Sequence, residues 1–191
     1  MRELSLFSGA GGGLLATKHL LGWETIGYVE WDKYCQKVLR QRILDGYLDN
    51  APIFGDIREF LDTGCAELYQ GVTDVVTAGF PCQPFSVAGK RKAEADERNQ
   101  WPNVVECLRM VRPQYVWLEN VPGFLATEYI WQIADDLSTA GYDFKWTIMG
   151  ADDVGAPHRR KRWWCLAESK ALGLEDIIET GTKTRATDRG S

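Results

Sequence analysis

Short apolar runs alternate along this chain with stretches in which apolar residues recur at helical spacing. The runs at 3–7, 25–30, 52–55, 74–78, 115–119, 145–149 and 163–167 are rich in Val, Ile, Phe, Tyr and Trp and predict strands. Between them the periodicity predicts helices at 11–21, 33–45, 59–70, 99–111 and 128–139. Regular alternation of this kind predicts an α/β fold, with an open, mostly parallel, doubly wound sheet and helices on both faces. Such sheets bind ligands at the carboxyl ends of their strands. Chemistry is therefore expected at the strand exits.

Composition narrows the class without naming a function. The chain has 191 residues, 45% hydrophobic and 26% charged, an ordinary balance for a globular domain. No apolar run approaches the roughly 18 residues that a membrane span needs. The N-terminus leads straight into an apolar strand and a glycine loop, so no signal peptide is expected and the cytosol is the expected compartment. The five cysteines, at 35, 65, 82, 107 and 165, include no CxxC pair, which argues against a disulfide framework and a zinc site. Two histidines, at 19 and 158, are too few for a His-rich metal site, and no metal is expected.

The net charge of -5 has the wrong sign for holding nucleic acid by bulk attraction. The basic residues are nevertheless clustered, in Lys90-Arg91-Lys92 and in Arg159-Arg160-Lys161-Arg162. Each cluster is either a solvated face or a phosphate contact. From residue 169 the chain changes character, and residues 180–191 carry no large apolar side chain. A folded domain is expected over 1–168 and a polar, disordered tail over 169–191.

Four strand exits carry candidate chemistry. The first holds Phe7-Ser8-Gly9-Ala10-Gly11-Gly12-Gly13, where glycines let the backbone turn into a helix and approach a ligand closely. A flexible turn is the ordinary alternative. About 20 residues on, Glu30 ends the next strand, where an acid typically takes ribose hydroxyls. The pair suggests a nucleoside cofactor. Asp56, after Gly55, is either an acceptor for an adenine amino group or a helix cap. The second motif, Gly79-Phe80-Pro81-Cys82-Gln83-Pro84-Phe85-Ser86, centres a cysteine between two prolines. A buried thiol is the commoner fate of a single cysteine. Prolines cannot continue a central strand, which places Cys82 on a loop, as a nucleophile requires. The third is Leu118-Glu119-Asn120-Val121-Pro122, in which Glu119 is a polar strand end or a carboxyl donating to a base. The fourth is Pro157-His158-Arg159-Arg160-Lys161-Arg162, a basic turn or a set of donors for a base carbonyl and phosphates.

In this order the motifs resemble the DNA cytosine-5 methyltransferase family over roughly residues 1–168. The resemblance is carried by the glycine loop with Phe7, Glu30-Trp31, Gly55-Asp56-Ile57, Pro81-Cys82-Gln83, Glu119-Asn120-Val121 and Arg160-x-Arg162. It implies a Rossmann-like S-adenosylmethionine-dependent methyltransferase fold and double-stranded DNA as substrate. It also implies a cofactor site drawn from Phe7, Gly9, Gly11, Glu30, Trp31, Asp56, Ile57 and Pro81. It assigns Cys82 to covalent attack on carbon 6 of a flipped cytosine, Glu119 to the amino and N3 edge, Arg160 to the O2 side and Arg162 to support of the loop.

The sequence departs from the pattern in three places. His158 stands where the family usually has glutamine, and Arg98-Asn99-Gln100 replaces a usual Arg-Gly. Nothing after Ala167 resembles the family's target-recognition domain or its last two motifs, the second of which folds back onto the cofactor domain. Weak, unspecific methylation alone, and possible completion by a second polypeptide, are the resulting expectations. A truncated or partner-dependent cofactor- or DNA-binding module and an RNA cytosine methyltransferase stay open as alternatives. An amino-group methyltransferase is disfavoured by Phe-Pro-Cys-Gln at the fourth strand exit. An NAD enzyme would leave Cys82 and Glu119 without a role.

Overall fold

The computed structural model describes residues 1–81, 99–126 and 128–170. Among these, seven strands form one sheet: β1 (Arg2–Leu6), β2 (Glu24–Val29), β3 (Ile53–Phe54), β4 (Val75–Ala78), β5 (Tyr115–Asn120), β6 (Tyr142–Met149) and β7 (Arg162–Ser169). Their order is β3-β2-β1-β4-β5-β7-β6. The first five are parallel, and β7 runs antiparallel to both of its neighbours. Between them lie α1 (Gly12–Leu21), α2 (Lys33–Leu44), α3 (Ile57–Asp62), α4 (Trp101–Val111) and α5 (Tyr129–Thr139). This is the expected mostly parallel, doubly wound α/β architecture. None of the described helices is long and apolar enough to cross a membrane.

One element departs from the prediction. The pattern at 59–70 reads as one helix, but Gly64 takes φ 72° and splits it into α3 and a 3-10 turn over Cys65–Tyr69. A residue in the left-handed region cannot continue an α-helix, and glycine enters that region without steric penalty.

The core is built by strict alternation where strands are half covered. In β7, Trp163, Cys165 and Ala167 are buried against α4 and α5, while Trp164 and Leu166 point to the opposite, more open face. Trp101, Phe60, Leu108, Leu118 and Leu137 fill the same cluster. A second cluster, Leu14, Tyr28, Leu39 and Leu48, lies under α1 and α2. Gly27 in β2 admits the ring of Tyr69, which packs against Phe54 and Phe60. Asn99, where the family's usual pattern fails, accepts hydrogen bonds from the Trp101 amide and the Tyr129 hydroxyl, and so ties α4 to α5.

A buried carboxylate braces the parallel half of the sheet. Glu3 of β1 accepts hydrogen bonds from Thr77 of β4 at 2.7 Å, Thr17 of α1 at 2.7 Å and Thr25 of β2 at 3.2 Å. Burial pushes its carboxyl above the usual range, opposed by those three hydroxyls.

Candidate active site at the carboxyl edge of the sheet

The strand order reverses between β1 and β4, which opens a crevice where their following loops part. The loop after β1 turns through positive φ at Phe7 (54°), Gly9 (55°) and Gly11 (85°). A β-carbon on Gly11 would press on Leu48 and Leu39 at 3.2 and 3.3 Å, so glycine is needed there for close packing. On Gly9, Gly12 or Gly13 it would meet nothing within 4 Å. No side chain caps α1 and no acid lies in its first turn, so its leading amides are left for another acceptor.

Glu30, just past β2, is buried beside this loop. Its Oε2 accepts from the Gly9 amide at 2.6 Å and its Oε1 from the Asp32 amide at 2.7 Å. The acid that sequence spacing pairs with the glycine loop is thus bonded to it directly. Trp31, the next residue, is two-thirds exposed (66%). After β3, Asp56 caps α3 through the Arg58 amide at 2.9 Å and pairs with the Arg58 guanidinium at 2.6 Å. That guanidinium holds the Asp56 carboxyl below the usual carboxylate range. The helix-cap reading of Asp56 is thus observed directly. Ile57 is buried in the main core.

The exits of β4 and β5 are cross-tied. Asn120 Nδ2 donates to the Phe80 carbonyl at 3.2 Å, and Asn120 is itself buried. Beside it, Glu119 accepts from Arg162 Nε at 2.5 Å in an ion pair that is partly shielded from solvent. A β-carbon on Gly79 would stand 3.2 Å from Glu119 Oε2, so the small residue at the β4 exit leaves room for the carboxylate. Arg160 lines a surface cavity of about 630 Å³ together with Arg162, Trp117, Met149 and Trp164. His158, Arg159 and Lys161 are exposed.

Pro81 is the last residue described before position 99 and is exposed. Cys82 and the Lys90-Arg91-Lys92 cluster lie outside the described residues, as does the tail from 171 onward. Among the described thiols, Cys107 and Cys165 are pushed up to about 12 by burial, and Cys35 is also raised by burial. Such thiols stay protonated and are poor nucleophiles. Sequence reasoning did not single out Gln36, a buried polar residue on α2, or the Asn120 tie. The first leaves a trace: Gln36 sits three residues before Leu39 on an otherwise apolar stripe. The second depends on tertiary contact alone.

The chain is 33% identical over 186 residues to the Type II methyltransferase M.CviJI of Paramecium bursaria Chlorella virus IL3A, covering 96% of this chain and 47% of that protein. It is 29% identical to the Type II methyltransferase M.HhaI of Haemophilus parahaemolyticus, covering 93% of this chain and 52% of that protein. The chain thus spans about half the length of these relatives. The fold is shared with the crystal structure of a Spodoptera frugiperda DNMT2 mutant, at TM-score 0.72 and 23% identity, over 90% of this chain and 51% of that one. The model of the C-5 cytosine-specific DNA methylase family matches residues 1–189, past the 168 at which the motifs end. The chain belongs to the C-5 cytosine-specific DNA methylase family.

Proposed function

We propose that this chain methylates carbon 5 of cytosine in DNA, with S-adenosylmethionine as methyl donor and Cys82 as covalent nucleophile. The observation that carries the reading is the tie between the β4 and β5 exits. Asn120 anchors the Phe80 carbonyl, two residues before Cys82, next to the Glu119–Arg162 pair. The described end of β4 is thereby tied beside the carboxylate read as the base-edge contact, which supports a reading in which the Pro81-Cys82-Gln83 motif follows directly in sequence.

The residues of the first three exits suit the donor. The open space over Gly9, Gly12 and Gly13 and the uncapped start of α1 fit a ligand bearing a carboxylate and a nucleoside. Phe7, Gly9, Gly11, Glu30, Trp31, Asp56 and Ile57 would form that site together with Pro81 after β4, with Glu30 accepting from ribose hydroxyls. When bound, S-adenosylmethionine supplies an electrophilic methyl group.

The chain's own residues activate the base. Carbon 5 of cytosine is a poor nucleophile in the aromatic ring. The Cys82 thiolate adds to carbon 6, forming a sulfur–carbon bond and an enamine whose electron density lies at carbon 5. Glu119 hydrogen-bonds the amino and N3 edge and relieves charge on the ring, Arg160 holds the O2 side, and Arg162 fixes Glu119. After carbon 5 has gained its methyl group, leaving S-adenosylhomocysteine, loss of the carbon 5 proton to water lets the sulfur–carbon bond break by elimination and returns Cys82 as thiolate. The base must leave the duplex for this chemistry. Base-edge readout is assigned to a recognition element outside the fold described above, in a continuation or a second polypeptide. The exposed Arg159 and Lys161 provide sequence-blind phosphate contacts.

DNA carrying 5-fluorocytosine cannot lose its carbon 5 substituent and should trap the protein. A donor-dependent, denaturant-resistant adduct is expected with the native chain and not with Cys82→Ser. An adduct that persists in Cys82→Ser would move the nucleophile to another cysteine. An adduct formed on RNA but not on DNA would replace the substrate.

A further inference from the structure

We propose that Gln36 is a positioning residue for the methyl-donor site, fixing Glu30 and, through Glu30, the glycine loop. The inference rests on the assignment of Glu30 and Gly9 to that site. Gln36 lies on the core-facing stripe of α2 and is only 6% exposed. A primary amide in such a place is costly unless it is bonded. Its Nε2 donates to the Glu30 carbonyl at 2.6 Å. On the other side the Glu30 amide donates to the Phe54 carbonyl of β3 at 3.0 Å. The Glu30 backbone is therefore clamped between α2 and β3.

The Glu30 side chain is held as firmly as its backbone. One carboxylate oxygen takes the Gly9 amide and the other the Asp32 amide, each in a short, charge-assisted bond. A displacement of the Glu30 carbonyl thus reaches the glycine loop in two bonded steps. Gln36 also lies near the next strand exit, because a β-carbon added to Gly55 would stand 3.8 Å from its Nε2. The loops after β1, β2 and β3 all border on this one buried amide or its partner. The helix does not need Gln36 for its own start, since Asp32 caps α2 by accepting from the Cys35 amide at 2.8 Å. The role of the Gln36 side chain is thereby separable from the stability of α2.

The test compares the native chain, Gln36→Met, Glu30→Ala and the double variant. Amide hydrogen exchange is measured without ligand, and S-adenosylhomocysteine binding is measured by calorimetry. In Gln36→Met the Gly9 amide is expected to exchange about tenfold faster, while the Val76 amide in β4 is unchanged. S-adenosylhomocysteine is expected to bind roughly five- to tenfold more weakly, the range for one lost buried hydrogen bond. In the Glu30→Ala background, Gln36→Met should change the affinity less than about twofold, because both act through one path. Unchanged Gly9 exchange in Gln36→Met, or equal losses of affinity in both backgrounds, would overturn the proposal. If Gln36→Met fails to fold, Gln36→Glu, which keeps the volume and replaces the donor with an acceptor, decides the same questions. A native chain that binds no S-adenosylhomocysteine would sink the donor-site reading, whereas Gly9 exchange still decides whether Gln36 holds the loop.

Discussion

Replacing Gly27 by alanine is expected to destabilise the protein through one contact. The new β-carbon would stand 2.5 Å from the Tyr69 hydroxyl oxygen and 2.8 and 2.9 Å from two ring carbons, against the 3.4 Å at which ordinary contact begins. The ring cannot simply swing away. It packs against the paired rings of Phe54 and Phe60, with centroids at 6.1 and 5.7 Å, and its hydroxyl donates to the Ile26 carbonyl at 3.2 Å. Overpacking of a filled core costs about 1–3 kcal/mol. Alanine recovers roughly 0.5–1 kcal/mol of that, because glycine is a poor strand residue. The clash prevails. At roughly 2–4 °C per kcal/mol for a chain of this size, Tm should fall by several degrees. The assay is thermal unfolding of Gly27→Ala, Tyr69→Leu and the double variant. With the ring gone, Gly27→Ala should become neutral or stabilising. An equal loss in both backgrounds would show that the Tyr69 contact is not the cause.

Three further outcomes follow from groups described above. Burial raises the Glu3 carboxyl, so the folded state binds its proton more tightly than the unfolded chain. Stability from this group is full below the unfolded carboxylate range and is lost as pH rises through the raised folded value. Glu3→Gln, which cannot titrate, should therefore gain on the native chain in Tm as pH rises from about 4 to 8; parallel curves would contradict the assignment. Glu119→Gln should lower methyl incorporation about 10²–10⁴-fold if the carboxyl gives a proton to the base, with Tm little changed. Gly79→Ala, which crowds Glu119 Oε2 at 3.2 Å, should show a milder loss of the same kind. Near-native turnover in Glu119→Gln would exclude proton donation.

The fold was legible because each strand announces itself locally. The runs that became β1, β2, β4 and β5 are short, apolar and bounded by turn residues, and the helices between them keep a clear 3.6-residue period. The break at Gly64 was harder to see, because the apolar spacing of Phe60, Leu61 and Tyr69 survives a change of helix type. Motif order located Glu30 and Glu119 at strand ends, but not what they hold. Glu30 on Gly9, Glu119 on Arg162 and Asn120 on Phe80 join residues 21, 43 and 40 positions apart. Such contacts are set by strand order and register, which local pattern does not encode. Gln36 shows the converse: its type was visible, but its burial was not.

The reversed direction of β7 makes the site a check on strand alignment. Because β7 runs against its neighbours, it begins at the edge where β5 ends, and the basic turn before it arrives beside Glu119 instead of at the far side of the sheet. Glu119 is opposite Trp164, and Arg162, two residues away on the same face, reaches it diagonally. A slip of β7 by a single position would keep the ladder's backbone bonds available but exchange its two faces. Trp163, Cys165 and Ala167 would turn out of the core, and the guanidinium would turn away from the carboxylate. Misaligned chains would therefore lose their core and the Glu119–Arg162 pair together, so a chain with this inner strand seated for packing is also one with Glu119 and Arg162 paired.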